Sequence, residues 1–303
     1  MVIKKYIWDN MITDTLKSHY LYYVRSSSLR KAYAEERNEL NKNLEYKNIY
    51  KGKRVFIIGN GPSLKKQDLS CLRNEYVMTV NYANRLEQFD TLNTNFHFFM
   101  DGIAIKHVED NETNKQNFDK MLDIQRKGNV NPVIFLNIQA MPYVKRYGLN
   151  EKYTIRYMHP SLPVDVDFKL PADLTKYVPG NFTSVVQWGI YAAIYMGFSE
   201  IYLLGCDCTN IINILNERAG IDVDNSYGYS QSNEEKTMQK QTNSYASVEQ
   251  YLQNAYKMFE IYGKQYKLCQ KNNIKLVNCT AGGILDNIPR MRYEDVIIKY
   301  IEQ

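Results

Sequence analysis

One ten-residue stretch constrains the fold of this chain more than any other. Residues 55–64 read Val-Phe-Ile-Ile-Gly-Asn-Gly-Pro-Ser-Leu, an apolar run followed directly by a glycine turn. Four consecutive apolar residues suit a strand that is covered on both faces, as in a parallel sheet. Gly59 and Gly61 permit a tight turn and a close approach of the backbone to a ligand. The stretch therefore predicts a buried strand that runs into a ligand-binding turn.

The same turn is predicted to open a helix. Pro62 suits the first helical position, which makes Gly61 the N-cap and places Ser63 at the start of a helix over residues 63–73. The free N–H groups and the positive dipole end of such a helix favour an anion, so the turn predicts a phosphate cradle. The pattern matches neither Gly-x-Gly-x-x-Gly nor the P-loop, which disfavours NAD. An ordinary strand-to-helix turn is the alternative interpretation.

Strands and helices are predicted to alternate after this point. The predicted strands are 54–58, 76–80, 96–100, 132–136, 153–157, 200–204 and 274–278, and the predicted helices are 63–73, 113–126, 139–147, 182–197, 245–272 and 292–302. Such alternation indicates an α/β fold, a single Rossmann-like domain over residues 51–303 with a mostly parallel sheet and helices on both faces. The proline-rich residues 158–181 are predicted to be irregular. The polar residues 208–244 are predicted to form a lid over the sheet edge.

Composition excludes several classes of protein. The chain has 303 residues, 44% of them hydrophobic, enough to bury a core, but it has no apolar run long enough to span a membrane. Its start lacks the pattern of a signal peptide, so a cytoplasmic location is expected. The five cysteines are scattered and are expected to be reduced. The four histidines have no companion at metal or triad spacing, so no metal site and no histidine catalysis is assigned.

The net charge of +5 originates entirely in the N-terminal segment. Residues 1–54 contain 12 Lys and Arg against 6 Asp and Glu, and the remaining 26 basic and 27 acidic residues nearly cancel. Residues 1–50 are predicted to form a helical extension that is basic and rich in tyrosine. Such a segment suits a membrane surface at its inner face, a lipid-linked substrate or a partner protein, although a solvated appendage explains it equally well. No nucleic-acid-binding signature is present, and the oligomeric state stays open.

Small polar residues follow the predicted strands where the strands end. Asn60, Asn81, Asp101 and Asp207 each stand at such a point, and the carboxyl ends of parallel strands meet at one edge of the sheet. Asparagine can hydrogen-bond a base or a phosphate without adding negative charge. The two carboxylates could bind sugar hydroxyls, coordinate a cation or act as a base. We therefore expect a nucleotide site at this edge.

A second helix start is predicted to face the same edge. Thr183 and Ser184 precede the apolar helical run of residues 185–196 and offer hydroxyls together with unpaired N–H groups. The alternative is a simple N-cap.

Taken together, these motifs resemble those of a bacterial glycosyltransferase group. The turn at residues 59–64, Asn81, the Phe-Thr-Ser stretch at 182–184, the strand at 201–207 and the Asn-Cys-Thr-Ala-Gly-Gly stretch at 278–283 are similar to the lipooligosaccharide sialyltransferases and the motility-associated-factor flagellin glycosyltransferases. The resemblance covers residues 54–285. It implies transfer of a sugar, such as a nonulosonic acid, from a CMP donor to a glycan, lipid-linked or protein acceptor. No cofactor is required, although Mg²⁺ is compatible.

The resemblance also implies roles for individual residues. The positions expected to contact the nucleotide or the donor are Gly59, Asn60, Gly61, Pro62, Ser63, Asn81, Thr183, Ser184, Gly205 and Asp207. Tyr227, Tyr229 and Tyr245 of the lid are expected to donate hydrogen bonds to the leaving phosphate. The sialyltransferases have Asn where Asp101 stands, and their base histidine has no counterpart in residues 208–250. Asp101 is therefore the first candidate for the general base.

Two other functions fit the same motifs. The 6-hydroxymethylpterin diphosphokinase-like proteins share the turn and the Gly-x-Asp strand, and they transfer pyrophosphate from ATP with magnesium. In that case Asp101 and Asp207 would be metal ligands rather than sugar contacts. The remaining alternative is a non-catalytic nucleotide-binding protein that docks a partner through its N-terminal segment.

Overall fold

The fold is a parallel sheet with helices on both of its faces. The computed structural model describes residues 34, 36–124, 131–160, 172–178, 182–221, 227–233, 235–237 and 246–301. In this part of the chain the strand order is β6-β5-β4-β3-β2-β1-β7-β8, and every pair of neighbouring strands is parallel. The predicted α/β, Rossmann-like fold class is therefore confirmed.

The strands of the sheet are short, and seven of them form its main body. They are β1 (Arg54–Ile58), β2 (Tyr76–Val80), β3 (Thr94–Phe99), β4 (Val133–Asn137), β5 (Thr154–Pro160), β6 (Tyr177–Val178), β7 (Glu200–Leu204) and β8 (Lys275–Asn278). The strand β6 contributes only two residue pairs to the end of β5. The seven predicted strands are confirmed to within three residues, whereas β6 was not predicted.

The helices of the described residues differ widely in length. They are α1 (Gly102–Lys106), α2 (Glu112–Leu122), α3 (Met141–Arg146), α4 (Leu149–Lys152), α5 (Val185–Met196), α6 (Asn210–Arg218), α7 (Val248–Lys271) and α8 (Tyr293–Ile301). Short 3₁₀ helices cover Lys42–Tyr46, Pro62–Lys66, Leu69–Leu72, Ala83–Arg85, Phe89–Thr91 and Ile138–Ala140. In the same part of the chain, no helix combines the length and apolar character needed to cross a membrane.

One helix prediction is wrong. Residues 63–73 form two 3₁₀ turns, Pro62–Lys66 and Leu69–Leu72, instead of one α-helix. The chain breaks between them because Gln67 and Asp68 are extended, and the Asp68 side chain accepts a hydrogen bond from the Ser70 amide to begin the second turn. A single 3₁₀ turn carries a far smaller dipole than a helix of three turns. The predicted attraction for an anion is weakened accordingly.

Two hydrophobic clusters enclose the sheet, one on each face. Phe56 and Ile58 of β1 point into the first cluster, which includes α2, α3 and α8, and Val55 and Ile57 point into the second, which includes α5 and α7. The period of two along the strand produces this division. Because β1 is covered on both sides, its four apolar residues are fully buried, as the apolar run at residues 55–58 predicted.

The end of the predicted N-terminal extension belongs to the core. Leu40 and Asn43 are fully buried, and the Asn43 side-chain nitrogen donates to the carbonyl oxygens of Tyr157 and Leu174 at 2.8 Å each. Tyr46 packs against aromatic rings of the sheet, including Phe135. The predicted boundary at residue 50 is therefore too late for the packing, while residues 1–33 of the extension lie outside the described residues.

The strand order contains one topological switch point. From β1 the chain builds outward through β2 to β6, and it then returns to place β7 and β8 on the other side of β1. In open parallel sheets, ligands bind in the crevice outside the carboxyl ends of the strands at such a point. Gly59 and Gly205 directly follow the last residues of β1 and β7, so the switch point coincides with the predicted turn.

Candidate functional site

A large cleft opens at the carboxyl edge of the sheet. Its volume is about 1170 Å³, which exceeds what a nucleotide alone needs. The cleft runs from the switch point across the ends of β2, β3 and β4, and the start of α5 and the middle of α7 form its opposite wall. Polar groups line the switch-point side, while Phe182, Trp188 and Met258 give the α5 side an apolar and aromatic surface.

The cleft gathers most of the residues that the sequence singled out. Its lining includes Gly59, Asn60, Gly61, Pro62, Asn81, Asp101, Thr183, Ser184, Gly205, Asp207 and Tyr227. Ser63 lies just behind this lining, and Tyr229 is buried in the core beside it. Tyr245 lies outside the described residues. The expectation that strand ends deliver polar residues to one edge is therefore met in the geometry.

Asn60 and Asn81 line the cleft, and each has a side-chain oxygen that is not used as a hydrogen-bond acceptor. The Asn60 side-chain nitrogen donates to the carbonyl oxygen of Val80 at 3.0 Å, which fixes the side chain between β1 and β2. Asn81 has a positive φ of 49°, and its backbone N–H donates to the carbonyl oxygen of Phe98 at 3.0 Å. The side-chain oxygens of both residues are buried without a hydrogen-bond partner. A buried acceptor without a partner costs free energy that a ligand donor can recover.

The backbone amides of the turn are not free. The Gly59 amide donates to the carbonyl oxygen of Leu204 at 2.8 Å, and the Gly61 amide donates to that of Gly205 at 2.9 Å. These bonds extend the β1–β7 ladder past the ends of both strands. A side chain on Gly59 would overlap the carbonyl oxygen of Gly205, so this glycine serves the close approach of two strands. The predicted phosphate cradle of free amides is therefore wrong for these two groups.

A carboxylate of the protein itself occupies the start of the 3₁₀ turn. Asp207 is only 6% exposed, and its two oxygens accept hydrogen bonds from the Ser63 hydroxyl at 2.7 Å and the Ser63 amide at 3.2 Å. Burial raises the pKa of Asp207, and the bonds from Ser63 oppose that rise. The Asp207 carboxylate therefore occupies the position beside Ser63 where the sequence predicted a ligand phosphate.

The start of α5 is an N-cap as well as part of the cleft wall. The amides of Thr183 and Ser184 donate to the side-chain oxygen of Gln187 at 2.9 and 3.2 Å. The Ser184 hydroxyl accepts a hydrogen bond from Tyr262 of α7 at 3.2 Å. The following amides, of Val185 and Val186, belong to the first helical turn, where no intrahelical acceptor is available. This end of the cleft therefore offers N–H and O–H donors.

Asp101 lies on the far side of the cleft. One of its oxygens accepts a hydrogen bond from the Ala104 amide at 3.0 Å, so the residue caps α1, and its side chain is exposed. Asn137 and Gln139, at the end of β4, pack against Gly102 and extend the polar surface there. Neither was predicted, although Asn137 directly follows the predicted strand 132–136 as Asn81 follows the predicted strand 76–80.

Part of the predicted lid packs directly on the turn. The Gly228 amide donates to the carbonyl oxygen of Asn60 at 2.7 Å. The rings of Tyr227 and Tyr229 stack at a centroid distance of 5.1 Å, and the Arg85 guanidinium lies 4.4 Å from the Tyr229 ring centroid. Tyr227 borders the cleft, but Tyr229 is 6% exposed within the core. The role predicted for Tyr229 as a phosphate donor is therefore not supported by its position.

Arg85 holds residues 227–233 against the rest of the domain. Its guanidinium makes two hydrogen bonds to the Glu235 carboxylate, at 2.6 and 2.9 Å, and a third to the carbonyl oxygen of Ser230 at 2.8 Å. Arg85→Ala removes all three together with the contact on Tyr229. Because the pair is about one-third exposed, we expect a local loss of about 1 kcal/mol, or a five- to tenfold faster amide exchange in residues 227–233.

Amide hydrogen exchange followed by mass spectrometry measures this effect. Arg73→Ala is the matched control, since Arg73 is an exposed arginine outside the cleft lining. If the exchange rates in residues 227–233 are the same in Arg85→Ala and the wild type, the contacts of Arg85 do not hold this segment.

The cleft also contains two basic side chains that were not predicted as site residues. Lys106 and His107 contribute to its lining at the end of α1. The sequence signal that could have identified His107 as a site residue is the carboxylate of Asp110, three residues later. Among the described residues, no three His, Cys, Asp or Glu side chains cluster as metal ligands would.

The fold and the cleft define an α/β protein with a candidate ligand site at the switch point of a parallel sheet. A comparison with models of known protein families found no match, and a comparison with curated proteins found no significant one.

Proposed function

We propose that this protein is a glycosyltransferase that uses a CMP-activated sugar as its donor. The observation that carries the proposal is the pair of unpartnered side-chain oxygens of Asn60 and Asn81 at the switch point. The cytosine amino group and the ribose hydroxyls of CMP are neutral hydrogen-bond donors of the kind that these two oxygens can accept. The sequence resemblance to the sialyltransferases supports the same donor.

The position of Asp207 favours a donor with one phosphate. Its carboxylate lies against Gly61 at the turn, so a second ligand phosphate placed there would meet a negative group of the protein. The single phosphate of a CMP sugar can instead approach the first turn of α5, where Thr183 and the amides of Val185 and Val186 provide donors. The Tyr227 hydroxyl is available on the lid side of the cleft.

The apolar wall supports an acceptor on the remaining side. Phe182 and Trp188 pack edge to face with ring centroids 5.0 Å apart, and Met258 of α7 lies beside them. Aromatic faces suit the apolar side of a sugar ring or a lipid-linked group. In this arrangement the nucleotide lies over β1 and β2, the acceptor rests against the apolar wall, and its hydroxyl approaches the anomeric carbon from the side opposite the phosphate.

The diphosphokinase alternative is less favoured by the same geometry. It needs at least two carboxylates that converge on Mg²⁺ and the phosphates of ATP. Asp207 is engaged with both donor groups of Ser63, and Asp101 caps α1 across the cleft. Neither carboxylate is presented with the other as a pair. A non-catalytic nucleotide-binding role requires only the Asn60 and Asn81 contacts, and such a protein would bind CMP without releasing it from a CMP-activated sugar.

A thermal-shift panel of CMP, UDP, GDP and ATP, each with and without Mg²⁺, tests the proposal. CMP at 100 times its Kd is expected to stabilise the fold by about 2.7 kcal/mol without metal. Asn60→Ala and Asn81→Ala should each weaken CMP binding about 5- to 100-fold because each removes one acceptor from a buried hydrogen bond.

The exposed Asn150→Ala variant, which lies outside the cleft, serves as the control and should bind CMP as the wild type does. Stabilisation by ATP that depends on Mg²⁺, with no response to CMP, would instead establish the diphosphokinase. Full affinity for CMP in both Asn variants would remove these oxygens from the site.

A further inference from the structure

A histidine–carboxylate pair lies at the rim of the cleft. The Nδ1 atom of His107 is 2.6 Å from a carboxylate oxygen of Asp110, and about half of each side chain is exposed. His107 contributes to the cleft lining, and among the described residues no other histidine does. Among the described residues, the pair therefore contains the only imidazole that borders the proposed donor site.

The carboxylate determines which nitrogen of the ring is basic. A carboxylate accepts hydrogen bonds, so Nδ1 of the neutral ring carries the hydrogen and donates it to Asp110. The lone pair is then on Nε2, at the opposite side of the ring. An oriented imidazole with a free lone pair on Nε2 is the arrangement that general-base catalysis requires.

The loop that carries the pair is held in place from α2. The Asn114 side-chain nitrogen donates to the carbonyl oxygen of His107 at 2.8 Å, and the Asp110 amide donates to the same oxygen at 3.2 Å. Asn111 caps α2 through a 2.8 Å bond from the Asn114 amide. These contacts fix the backbone that follows the histidine, as a residue with a defined catalytic position needs.

We infer that His107 is the general base of the transfer reaction and that Asp110 is its positioning residue. This inference rests on the proposed function. The acceptor hydroxyl oxygen bonds to the anomeric carbon, and the bond between that carbon and the phosphate oxygen breaks, with its electron pair leaving on CMP. The hydroxyl proton passes to Nε2 of His107. The half-exposed ring then releases this proton to solvent, which restores the neutral base.

His107 suits this role better than Asp101, the candidate from the sequence. One oxygen of Asp101 is held by the Ala104 amide at the start of α1. Imidazole is also the side chain whose ordinary pKa lies closest to neutral pH, where a base is most effective. The charged groups near the pair are Lys106 and Glu109 on the same segment, Asp101 at the start of α1, and Arg146 of α3, which pairs with Glu109 at 2.7 Å.

The test measures CMP release from CMP-N-acetylneuraminic acid, alone and with a panel of glycan acceptors, between pH 5 and 9. His107→Gln should bind CMP as tightly as the wild type but lower kcat by 10²- to 10⁴-fold. Asp110→Asn should lower kcat less than His107→Gln does and leave the Kd for CMP unchanged, because the ring loses the carboxylate that orients Nε2 but remains as the base. Glu109→Gln, the matched control, should leave both kcat and the Kd for CMP unchanged.

The possible outcomes separate this inference from the function on which it rests. A wild type that turns over CMP-N-acetylneuraminic acid, together with His107→Gln that keeps kcat within threefold, overturns the role of His107 and leaves the transferase intact. A kcat for Asp110→Asn that equals that of the wild type would reduce Asp110 to a structural contact and overturn its part of the inference. A wild type that neither binds CMP nor releases it from the donor overturns the proposed function and the His107 assignment together.

Discussion

Gly59→Ala is expected to destabilise the edge of the sheet strongly. The added methyl group would overlap the carbonyl oxygen of Gly205 and lie 3.0 Å from its carbonyl carbon. Both are backbone atoms, so no side-chain rotation can relieve the overlap. The two strands would have to separate, which would also lengthen the hydrogen bond from the Gly59 amide to Leu204. We expect a loss of at least about 3 kcal/mol, the upper end of the range for overpacking.

Urea unfolding followed by circular dichroism measures this loss. Gly263→Ala is the matched control, because Gly263 lies inside α7 and its added methyl group would meet only the end of the Asn287 side chain. Alanine is favoured over glycine in a helix by about 1 kcal/mol, which offsets that contact. The control should therefore stay within about 1 kcal/mol of the wild type. Equal stabilities for Gly59→Ala and the wild type would mean that β1 and β7 do not approach as described.

His97 is expected to make the fold sensitive to acid. The residue is fully buried in β3, where its Nδ1 atom lies 2.8 Å from the Thr79 hydroxyl of the neighbouring strand. Burial lowers the pKa of His97 to about 3, whereas an unfolded histidine has a pKa of about 6.5. The neutral ring therefore contributes stability that is complete above pH 6.5 and is lost as the pH falls toward 3, because only the unfolded chain takes up the proton.

The size of this effect follows from the two pKa values. Each unit of difference is worth 1.36 kcal/mol, so the full window from pH 6.5 to 3 corresponds to about 5 kcal/mol. His97→Gln keeps a polar partner for Thr79 but cannot be protonated in this range. Its free energy of unfolding should therefore fall much less than that of the wild type between pH 7 and 4.

Urea titrations at several pH values test the prediction. A smaller slope should remain in His97→Gln because burial also lowers the pKa of His159. Parallel curves for the two proteins across this range would show that His97 does not carry the acid sensitivity.

The sheet was predictable because its strands are strongly apolar and directly bounded by glycine or asparagine. The apolar runs at 55–58 and 201–204 leave no alternative to buried strands once the turns are recognised. The two-residue β6 has no such signal, since its pairing depends on β5 being in place. The helix over 63–73 was wrong because Asp68 competes for the backbone by capping a new turn at Ser70.

The candidate site was predictable as a place but only partly as chemistry. Strand ends meet at one edge in any parallel sheet, so Asn60 and Asn81 could be located from the sequence. The hydrogen bonds from Ser63 to Asp207 could not, because they join residues 144 positions apart. The pairing of His107 with Asp110 depends on the course of a loop, and their spacing in the sequence is shared by many unrelated pairs.

Two buried glutamines determine how the cleft can change its width. Gln187 of α5 donates to the carbonyl oxygen of Met258 at 2.9 Å, and Gln265 of α7 donates to that of Gln187 at 2.7 Å. A slide of α7 along α5 would break both bonds within the core, so these two helices are expected to move as one rigid body. Since α7 also carries Met258 and Tyr262 of the cleft wall, adaptation to ligands of different size falls to the opposite wall, where the segment around Tyr227 is attached through Arg85 and the Gly228 amide.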